Sequence, residues 1–432
     1  MVVPRVLVTL PQLPHDPASG GARTMATIAE FLSASGFRVR GLATTMSEGE
    51  SAVDVARVLD AAESVLITND NPEGTPIIRF RRRGVDYVLQ DVNDCPPLAW
   101  RQRHGRQYDQ LFDEELIAFG PDILLSFGAD DHDVARRRRA RAAGARVVFG
   151  LFHTGYLDSG LGPYVDSVVT PSRFITTRYR QRWGIDSTPL PTPVQLDEVL
   201  CPDRVPTRVT VVNPSVGKGA MLLARLAHTL ETDFPDIPME VIESRSSGRL
   251  LIQAGFAGGF DLRRHPNLLF RPTVTMPYEI YRNTRVLLVP SVAEEASARV
   301  VAEAMLNGIP VIVSDVGGLP ENCAGGGYVI PLPPTLTTNT RRPTNSESVR
   351  PWIEVLAAMF ADDTTYEEAS ARARTASERF SPRSVIPQYH DYFSGVLKSG
   401  PSAEQPERPK AQSTPLKGPY RRGPERSSQS ID

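Results

Sequence analysis

The chain has 432 residues, about twice the length of an ordinary domain, so two hydrophobic cores are expected. Its 48 basic and 50 acidic side chains nearly cancel to a formal net charge of -2, which gives no indication of a nucleic-acid partner. The three cysteines show no CxxC spacing, which favours a reducing, cytoplasmic compartment, and no apolar run reaches the roughly 18 residues that span a bilayer.

The first half of the chain alternates short β-branched runs with amphipathic helical segments, a pattern typical of a parallel sheet covered by helices. The predicted strands are Arg5 to Leu10, Val39 to Leu42, Val65 to Thr68, Tyr87 to Gln90, Ile123 to Phe127, Val147 to Leu151 and Val168 to Thr170. Together they predict a Rossmann-like domain over residues 1–190.

A proline-rich segment at 191–207 is interpreted as a linker, after which the same alternation restarts. The second set of predicted strands is Val209 to Val212, Met239 to Ile242, Leu268 to Phe270, Val286 to Val289 and Val311 to Ser314. This predicts a second Rossmann-like domain over 208–380, a helix at 381–398 that could cross back to the first domain, and a disordered polar tail at 399–432. The expected fold class is α/β, with the two domains facing a central cleft.

In each predicted domain, a glycine-containing turn follows the first strand. Gly20 and Gly21 open a helix, so that backbone amides can approach an anion, although a simple turn explains the same residues. Lys218 lies between two glycines at a strand-to-helix turn, where it is well placed to meet a diphosphate or equally to face solvent.

The most informative segment runs from Pro290 to Glu321 and contains two glutamates, Glu295 and Glu303, eight positions apart. Glu295 precedes the expected helix start near Ala298, so the two carboxylates can address different parts of one ligand. Each carboxylate can accept hydrogen bonds from the neighbouring hydroxyls of a sugar or a ribose.

The run from Glu295 to Met305, followed by Asn307-Gly-Ile-Pro-Val-Ile and Gly317-Gly-Leu-Pro-Glu321, resembles glycosyltransferase family 4, whose members are retaining enzymes with the GT-B fold. The resemblance implies transfer of a hexosyl-type sugar from a nucleotide diphosphate sugar, without metal or other cofactor. It implies catalytic roles for Glu295, which would hold the donor sugar, and for His153, which would lie beside it. The donor-binding residues that it implies are Lys218 for the diphosphate, Glu303 for the ribose, Gly20 and Gly21 for the phosphates or the acceptor, and also Asn213, Ser297 and Ala298.

The sequence departs from the family pattern at two places that concern the donor. Asn213 stands where the family often has an arginine, five positions before the lysine, which removes one phosphate charge. Ala296-Ser297-Ala298 replaces a glycine, an aromatic residue and a glycine, and the added methyl groups narrow the approach to the sugar phosphate.

Three other features of the first domain have competing interpretations. Asp131-His132-Asp133 could hold a metal, but helix capping and solvated charge are the favoured interpretation. Cys95 and Trp100 could line an acceptor cleft, or the cysteine could simply be buried. Arginine clusters at 79–83, 101–106 and 136–141 could steer an anionic lipid-linked acceptor or contact a membrane peripherally, whereas a solvated face balanced by acids elsewhere is the favoured alternative.

The predicted function is transfer of the sugar, with retention, to a glycan, a lipid-linked molecule or a small molecule, with no nucleic acid involved. The alternatives are a sugar-nucleotide-binding protein that does not transfer, a sugar-nucleotide epimerase and, least favoured, a phosphorylase.

Overall fold

The computed structural model of the chain describes residues 3–47, 55–60, 62–68, 75–92, 95 and 97–399. The tail predicted to be disordered lies, from residue 400 onward, outside the described residues. Two separate β-sheets, each covered by helices, account for most of the described chain. The predicted α/β fold class is confirmed.

The first sheet has nine strands in the described residues, in the order β3-β4-β5-β2-β1-β6-β7-β8-β9. They are β1 (Arg5–Leu10), β2 (Arg38–Thr44), β3 (Ser64–Thr68), β4 (Ile77–Arg82), β5 (Val85–Gln90), β6 (Ile123–Ser126), β7 (Arg146–Gly150), β8 (Ser167–Thr170) and β9 (Thr188–Pro189). The associated helices are α1 (Gly20–Ala34), α2 (Val55–Leu59), α3 (Pro97–Phe119), α4 (Asp131–Ala142) and α5 (Arg173–Trp183). Successive side chains of β1 point to opposite faces: Val6 and Val8 pack with α1, and Leu7 packs with α3. Both faces of the sheet are therefore buried.

Strand β4 is absent from the sequence prediction and pairs antiparallel with both β3 and β5. A tight turn at Arg83 and Gly84, both with positive φ, links it to β5. The sheet is thus parallel except around β4. The arginines at 79, 81 and 82 kept this strand from being recognised in the sequence, because a run of charges is more typical of a solvated segment.

The second sheet has six described strands, all parallel, in the order β12-β11-β10-β13-β14-β15. They are β10 (Arg208–Val212), β11 (Met239–Ile242), β12 (Leu268–Arg271), β13 (Thr284–Val289), β14 (Val311–Ser314) and β15 (Gly327–Ile330). The remaining helices are α6 (Leu196–Val199), α7 (Ala220–Asp233), α8 (Arg249–Ala257), α9 (Tyr278–Tyr281), α10 (Arg299–Leu306), α11 (Leu319–Cys323), α12 (Ser346–Ala361), α13 (Asp363–Ser377) and α14 (Pro382–Lys398).

Each sheet has a point where the strand order reverses, next to its first strand. In the first sheet this point lies between β1 and β6, and in the second it lies between β10 and β13. Open α/β sheets bind ligands in the crevice at the carboxyl ends of the strands that flank such a point. The turns after these four strands are therefore the places to look for a site.

The connection at 191–207 is a packed segment, with Val194 and Val199 fully buried and α6 lying within it. Just after α6, the backbone N–H of Cys201 donates to the side-chain carbonyl of Asn307 at 2.9 Å. The last helix, α14, places Tyr389 and Phe393 in the same buried cluster as Val6 and Val8 of the first sheet. The chain thus returns to the first sheet after completing the second. No helix within the described ranges is long and apolar enough to cross a membrane.

Candidate donor-binding site

Lys218 and Glu295 meet at the reversal point of the second sheet, where one follows β10 and the other follows β13. The ammonium nitrogen of Lys218 lies 2.5 Å from Oε1 of Glu295, and the hydroxyl of Ser291 donates to the same oxygen at 2.7 Å. Both hydrogen bonds fall on Oε1, which leaves Oε2 to accept from the hydroxyls of a ligand. The structure thus brings together two residues predicted separately from the sequence.

The backbone of these two turns is held by direct contacts. The carbonyl of Gly217 accepts from the N–H groups of Val292 and Ala293 at 2.9 and 3.0 Å, which ties the lysine turn to the glutamate loop. Gly219 has a φ of +88°, and a Cβ on it would lie 2.1 Å from the carbonyl oxygen of Pro290. Only glycine fits there, because a side chain would meet rigid backbone at a strained φ.

The carboxyl group of Glu295 is ionised at neutral pH. Burial by itself would raise its pKa, but the neighbouring Lys218, the hydrogen bond from Ser291 and the charge of Arg245 hold the pKa below its usual value. A carboxylate in this state can stabilise positive charge that develops on a sugar, and it is a weak base.

Across the cleft lies the N-terminus of α1, with Ser19 as the capping residue and Gly20 and Gly21 as the first helical residues. A Cβ on Gly20 would lie 3.8 Å from the Arg299 side chain of the second domain, and one on Gly21 would lie 3.6 Å from Phe127. These are ordinary contact distances, so the packing of the protein does not itself demand glycine here. The pair leaves open backbone amides at a helix N-terminus, the arrangement that favours an anion.

His153 follows β7 and lies between the rings of Phe127 and Tyr156, with centroids 5.6 and 4.5 Å away. Its Nδ1 accepts a hydrogen bond from the backbone N–H of Gly155 at 2.9 Å, so in the neutral ring Nε2 carries the proton. Burial, helped by the charge of Arg245, lowers the pKa of His153 to about 4. At neutral pH the ring is therefore an uncharged hydrogen-bond donor.

Glu303 has partners other than the ribose that the resemblance implies. Its side chain is fully buried, and Oε2 accepts from the hydroxyl of Tyr281 at 2.7 Å. Oε1 lies 3.3 Å from both Arg23 of α1 and Arg299 of α10. Burial, followed by the charge of Arg23, lowers the pKa of Arg299 to about 10, and the two arginines hold the pKa of Glu303 below its usual value against the opposing effect of its burial.

Of the other predicted donor residues, Ser297 and Ala298 already have hydrogen-bond partners in the protein, whereas the side-chain oxygen of Asn213 has none among the described residues. The hydroxyl of Ser297 contacts that of Thr192 at 2.7 Å and the side chain of Asn322 at 3.1 Å. Ala298 is the N-cap residue of α10, and its carbonyl accepts from Asn322 at 2.8 Å. Asn213 has a φ of +61°, and its buried Oδ1 has no hydrogen-bond partner among the described residues.

The segment from Asp130 to Asp133 forms a capping box at the start of α4. Asp130 accepts from the backbone N–H groups of His132 and Asp133 at 2.9 and 3.0 Å, and Asp133 accepts from that of Asp130 at 3.2 Å. Helix capping is confirmed, whereas the expected solvated charge is wrong for Asp133, which is buried against Arg136. Within the described ranges, no group of three or more histidine, cysteine, aspartate or glutamate residues could hold a metal ion.

Acids balance the arginine clusters as the favoured interpretation predicts, but its solvated face is wrong for several members. Arg136 is buried and bonds to Asp133 and Asp109, while Arg137 is buried and donates to the carbonyls of Gly128 and Leu161. Other pairs are Arg79 with Glu115, Arg82 with Glu30 and Glu198, Arg83 with Asp197, Arg101 with Asp130, and Arg139 with Asp113. These acids neutralise much of the charge that peripheral membrane contact would need, and such contact stays a prediction.

A cavity of about 310 Å³ opens at the reversal point of the first sheet. Its lining includes Trp100, Phe127, Tyr156, Arg101 and Asp130. Trp100 thus lines a cavity at the carboxyl edge of the first sheet, and its part in an acceptor cleft stays a prediction. Cys95 is buried in the cluster beneath it and is not part of the cavity lining.

Comparison with known proteins adds to this geometry. Residues 246–340 match the family model Glycosyl transferases group 1, whereas no curated protein matches the sequence significantly. The structure of a glycosyltransferase from Rickettsia africae aligns with 92% of this chain and with 100% of its own chain, at 14% sequence identity and a TM-score of 0.62. The catalytic domain of starch synthase IV from Arabidopsis thaliana, bound to ADP and acarbose, aligns with 92% of this chain and 100% of its own, at 11% identity and a TM-score of 0.65. The Anabaena protein HepE in complex with UDP-glucose gives 90% and 99% coverage, 13% identity and a TM-score of 0.62.

The chain has the GT-B fold. The family match and the shared fold together support a GT-B glycosyltransferase. The matched segment contains both Glu295 and Glu303, whereas Lys218 lies before it. The remaining part of the GT-B cleft, with Gly20, Gly21 and His153, comes from the first domain.

Proposed function

We propose that the chain transfers a sugar from a nucleotide diphosphate sugar to an acceptor hydroxyl, with retention of the anomeric configuration. The observation that carries the proposal is the Lys218–Glu295 pair at the reversal point of the second sheet, opposite the N-terminus of α1. An ammonium group and helix amides suit a diphosphate, and a partly buried carboxylate suits a sugar that gains positive charge. In this role the diphosphate lies between Lys218 and Gly20-Gly21, and the sugar lies between Glu295 and His153.

Each side chain then has one task. Lys218 carries three N–H donors, so it can keep Glu295 and still bind phosphate oxygens. Glu295 accepts hydrogen bonds from sugar hydroxyls at Oε2, and its negative charge stabilises the positive charge that develops at the anomeric carbon. His153 donates from Nε2 to an oxygen of the sugar. The cavity beside Trp100, Phe127 and Tyr156 offers aromatic faces for the acceptor.

The state of the titratable groups supports retention. An inverting transfer needs a base, with a pKa near the working pH, to take the acceptor's proton as it attacks from the opposite face. Glu295 has a lowered pKa and an ion-pair partner, and the pKa of His153 is about 4, so both are weak bases. Asp133 is the other acid to consider as a base, because burial raises its pKa. Its two oxygens, however, are in contact with Arg136 and Arg101.

The test has two stages. A thermal-shift screen of UDP, GDP, ADP and TDP sugars should reveal one stabilising donor, since a ligand at 100 times its dissociation constant stabilises by roughly 2.7 kcal/mol. Incubation of that donor with candidate acceptors, followed by NMR of the product, should show the donor's own anomeric configuration. Binding without turnover on any acceptor would favour a sugar-nucleotide-binding protein, and an inverted product would refute retention and make Asp133 the first base to test.

A further inference from the structure

Arg245 reaches from the second domain to the first at the mouth of the cleft. It lies in the loop between β11 and α8, and its Nε donates to the carbonyl of Ala18 at 2.8 Å. Its Nη2 lies 3.5 Å from the hydroxyl of Ser19, the residue that caps α1. The guanidinium group is therefore anchored directly beside the helix N-terminus that opens with Gly20.

The charge of Arg245 acts on both sides of the cleft. It is one of the causes that lower the pKa of Glu295 in the second domain, and it also lowers that of His153 in the first. Together with the contact to Ala18, this places the guanidinium in the space that Glu295, His153 and the start of α1 share.

The other basic side chains beside the cleft contact carboxylates of the protein. Lys218 shares its ammonium group with Glu295, and Asn213 brings no charge. Arg23 and Arg299 are close to the cleft, but both are paired with the buried Glu303. A nucleoside diphosphate carries more than one negative charge and several acceptor oxygens, so more than one cation can bind it.

We propose that Arg245 binds the diphosphate of the donor and stabilises it as the leaving group. The inference rests on the proposed function and assigns one more residue to the same site. When the bond from the anomeric carbon to the diphosphate oxygen breaks, its electron pair stays on that oxygen. The acceptor oxygen forms the new bond to the carbon, and its proton leaves with the nucleoside diphosphate. Arg245 and Lys218 then face the oxygens on which the negative charge grows.

The experiment compares Arg245→Ala and Arg245→Lys with Arg249→Ala, a change at an exposed arginine four residues further on. Calorimetry measures the affinity of the wild type and of each variant for UDP, ADP, GDP and TDP and for the matching nucleosides. For the diphosphate that the wild type binds, Arg245→Ala should weaken affinity about 30-fold or more, the effect of removing one partner of a charge pair. The matching nucleoside should be affected far less, Arg245→Lys should recover part of the loss, and Arg249→Ala should behave as wild type.

Each other outcome is decisive. Unchanged diphosphate affinity in Arg245→Ala would overturn the inference while leaving the proposed function in place. Equal weakening of diphosphate and nucleoside would show that Arg245 only holds the two domains together, which also overturns it. A wild-type chain that binds none of the four diphosphates would overturn both the inference and the proposed function.

Discussion

The carboxylate of Glu303 lies in a buried ionic cluster, and replacing it with glutamine removes its negative charge while keeping its size. Its contacts are Tyr281 at 2.7 Å and two arginines, Arg23 and Arg299, at 3.3 Å each. After Glu303→Gln, both guanidinium groups stay in the interior without that counter-charge. The structure therefore predicts that Glu303→Gln lowers the stability of the protein. If the carboxylate only bound ribose, the same substitution would leave the stability unchanged.

The magnitude follows from the burial of the cluster. Removing one partner of a buried ion pair costs about 3 to 5 kcal/mol, because the remaining charge is left in a medium of low polarity. Arg23 keeps a second acid, Glu198, at 3.9 Å, so the lower end of that range applies. At about 2 to 4 °C per kcal/mol for a domain of this size, the melting temperature should fall by roughly 6 to 12 °C.

The assay is thermal unfolding followed by circular dichroism, without nucleotide, with Glu367→Gln on the exposed face of α13 as the control. The double variant Glu303→Gln, Arg299→Met should lose less than the sum of the two single changes, because it removes one of the stranded charges together with its partner. A melting temperature that stays at the wild-type value, with a large loss of nucleoside diphosphate affinity, would refute the ionic cluster and favour the ribose contact.

Three further predictions concern the same site and its charges. Glu295→Gln should lower the turnover rate by about two to three powers of ten with a much smaller change in donor affinity, as measured by saturation kinetics beside calorimetry; a collapse of affinity at intact turnover would contradict the role given to Glu295. Activity should survive EDTA, because Lys218 and Arg245 supply positive charge at the diphosphate, and loss of activity that magnesium restores would argue for a metal-dependent reaction. The free energy of unfolding should fall as the pH drops below about 4.3, the usual value for glutamate, because the pKa values of Glu30, Glu295 and Glu303 are all lowered in the folded state. Their contribution is complete above that pH and is lost as the pH falls through the folded values, so denaturant midpoints that do not change between pH 6 and pH 3.5 would contradict these shifts.

Most of the parallel strands could be predicted because their buried faces leave a direct record in the sequence, whereas the short edge strands β9 and β15 were missed. Strands with both faces covered become continuous apolar runs, as at Val311–Ser314, and glycine turns separate them from the next helix. Strand β4 could not be recognised in this way, because its sequence is IIRFRR. Its arginines are paired with acids such as Glu115 and Glu198, which lie 36 and 116 positions away and are invisible to a local pattern.

Part of the site could be predicted for the same reason. The carboxyl ends of parallel strands meet at one edge of a sheet, so residues after β10 and β13 were expected near a shared ligand, and Lys218 and Glu295 do meet there. Arg245 follows β11 in the same sheet, and its position after a strand was the signal that could have drawn attention to it. Its partner Ala18 lies 227 positions away, in the other domain.

The two glutamates of the motif show why a spacing cannot assign roles on its own. Eight positions along the chain place Glu295 in a loop before α10 and Glu303 inside that helix, and the local sequence predicts that much. What each carboxylate contacts depends on residues from elsewhere: Lys218 for the first, and Arg23 of the other domain for the second. Arg299 adds a further charge beside Glu303 while bonding to the carbonyl of Pro193 in the connection between the domains. Two identical side chains in one short motif therefore have different electrostatic surroundings, and the comparison of Glu295→Gln with Glu303→Gln measures that difference directly.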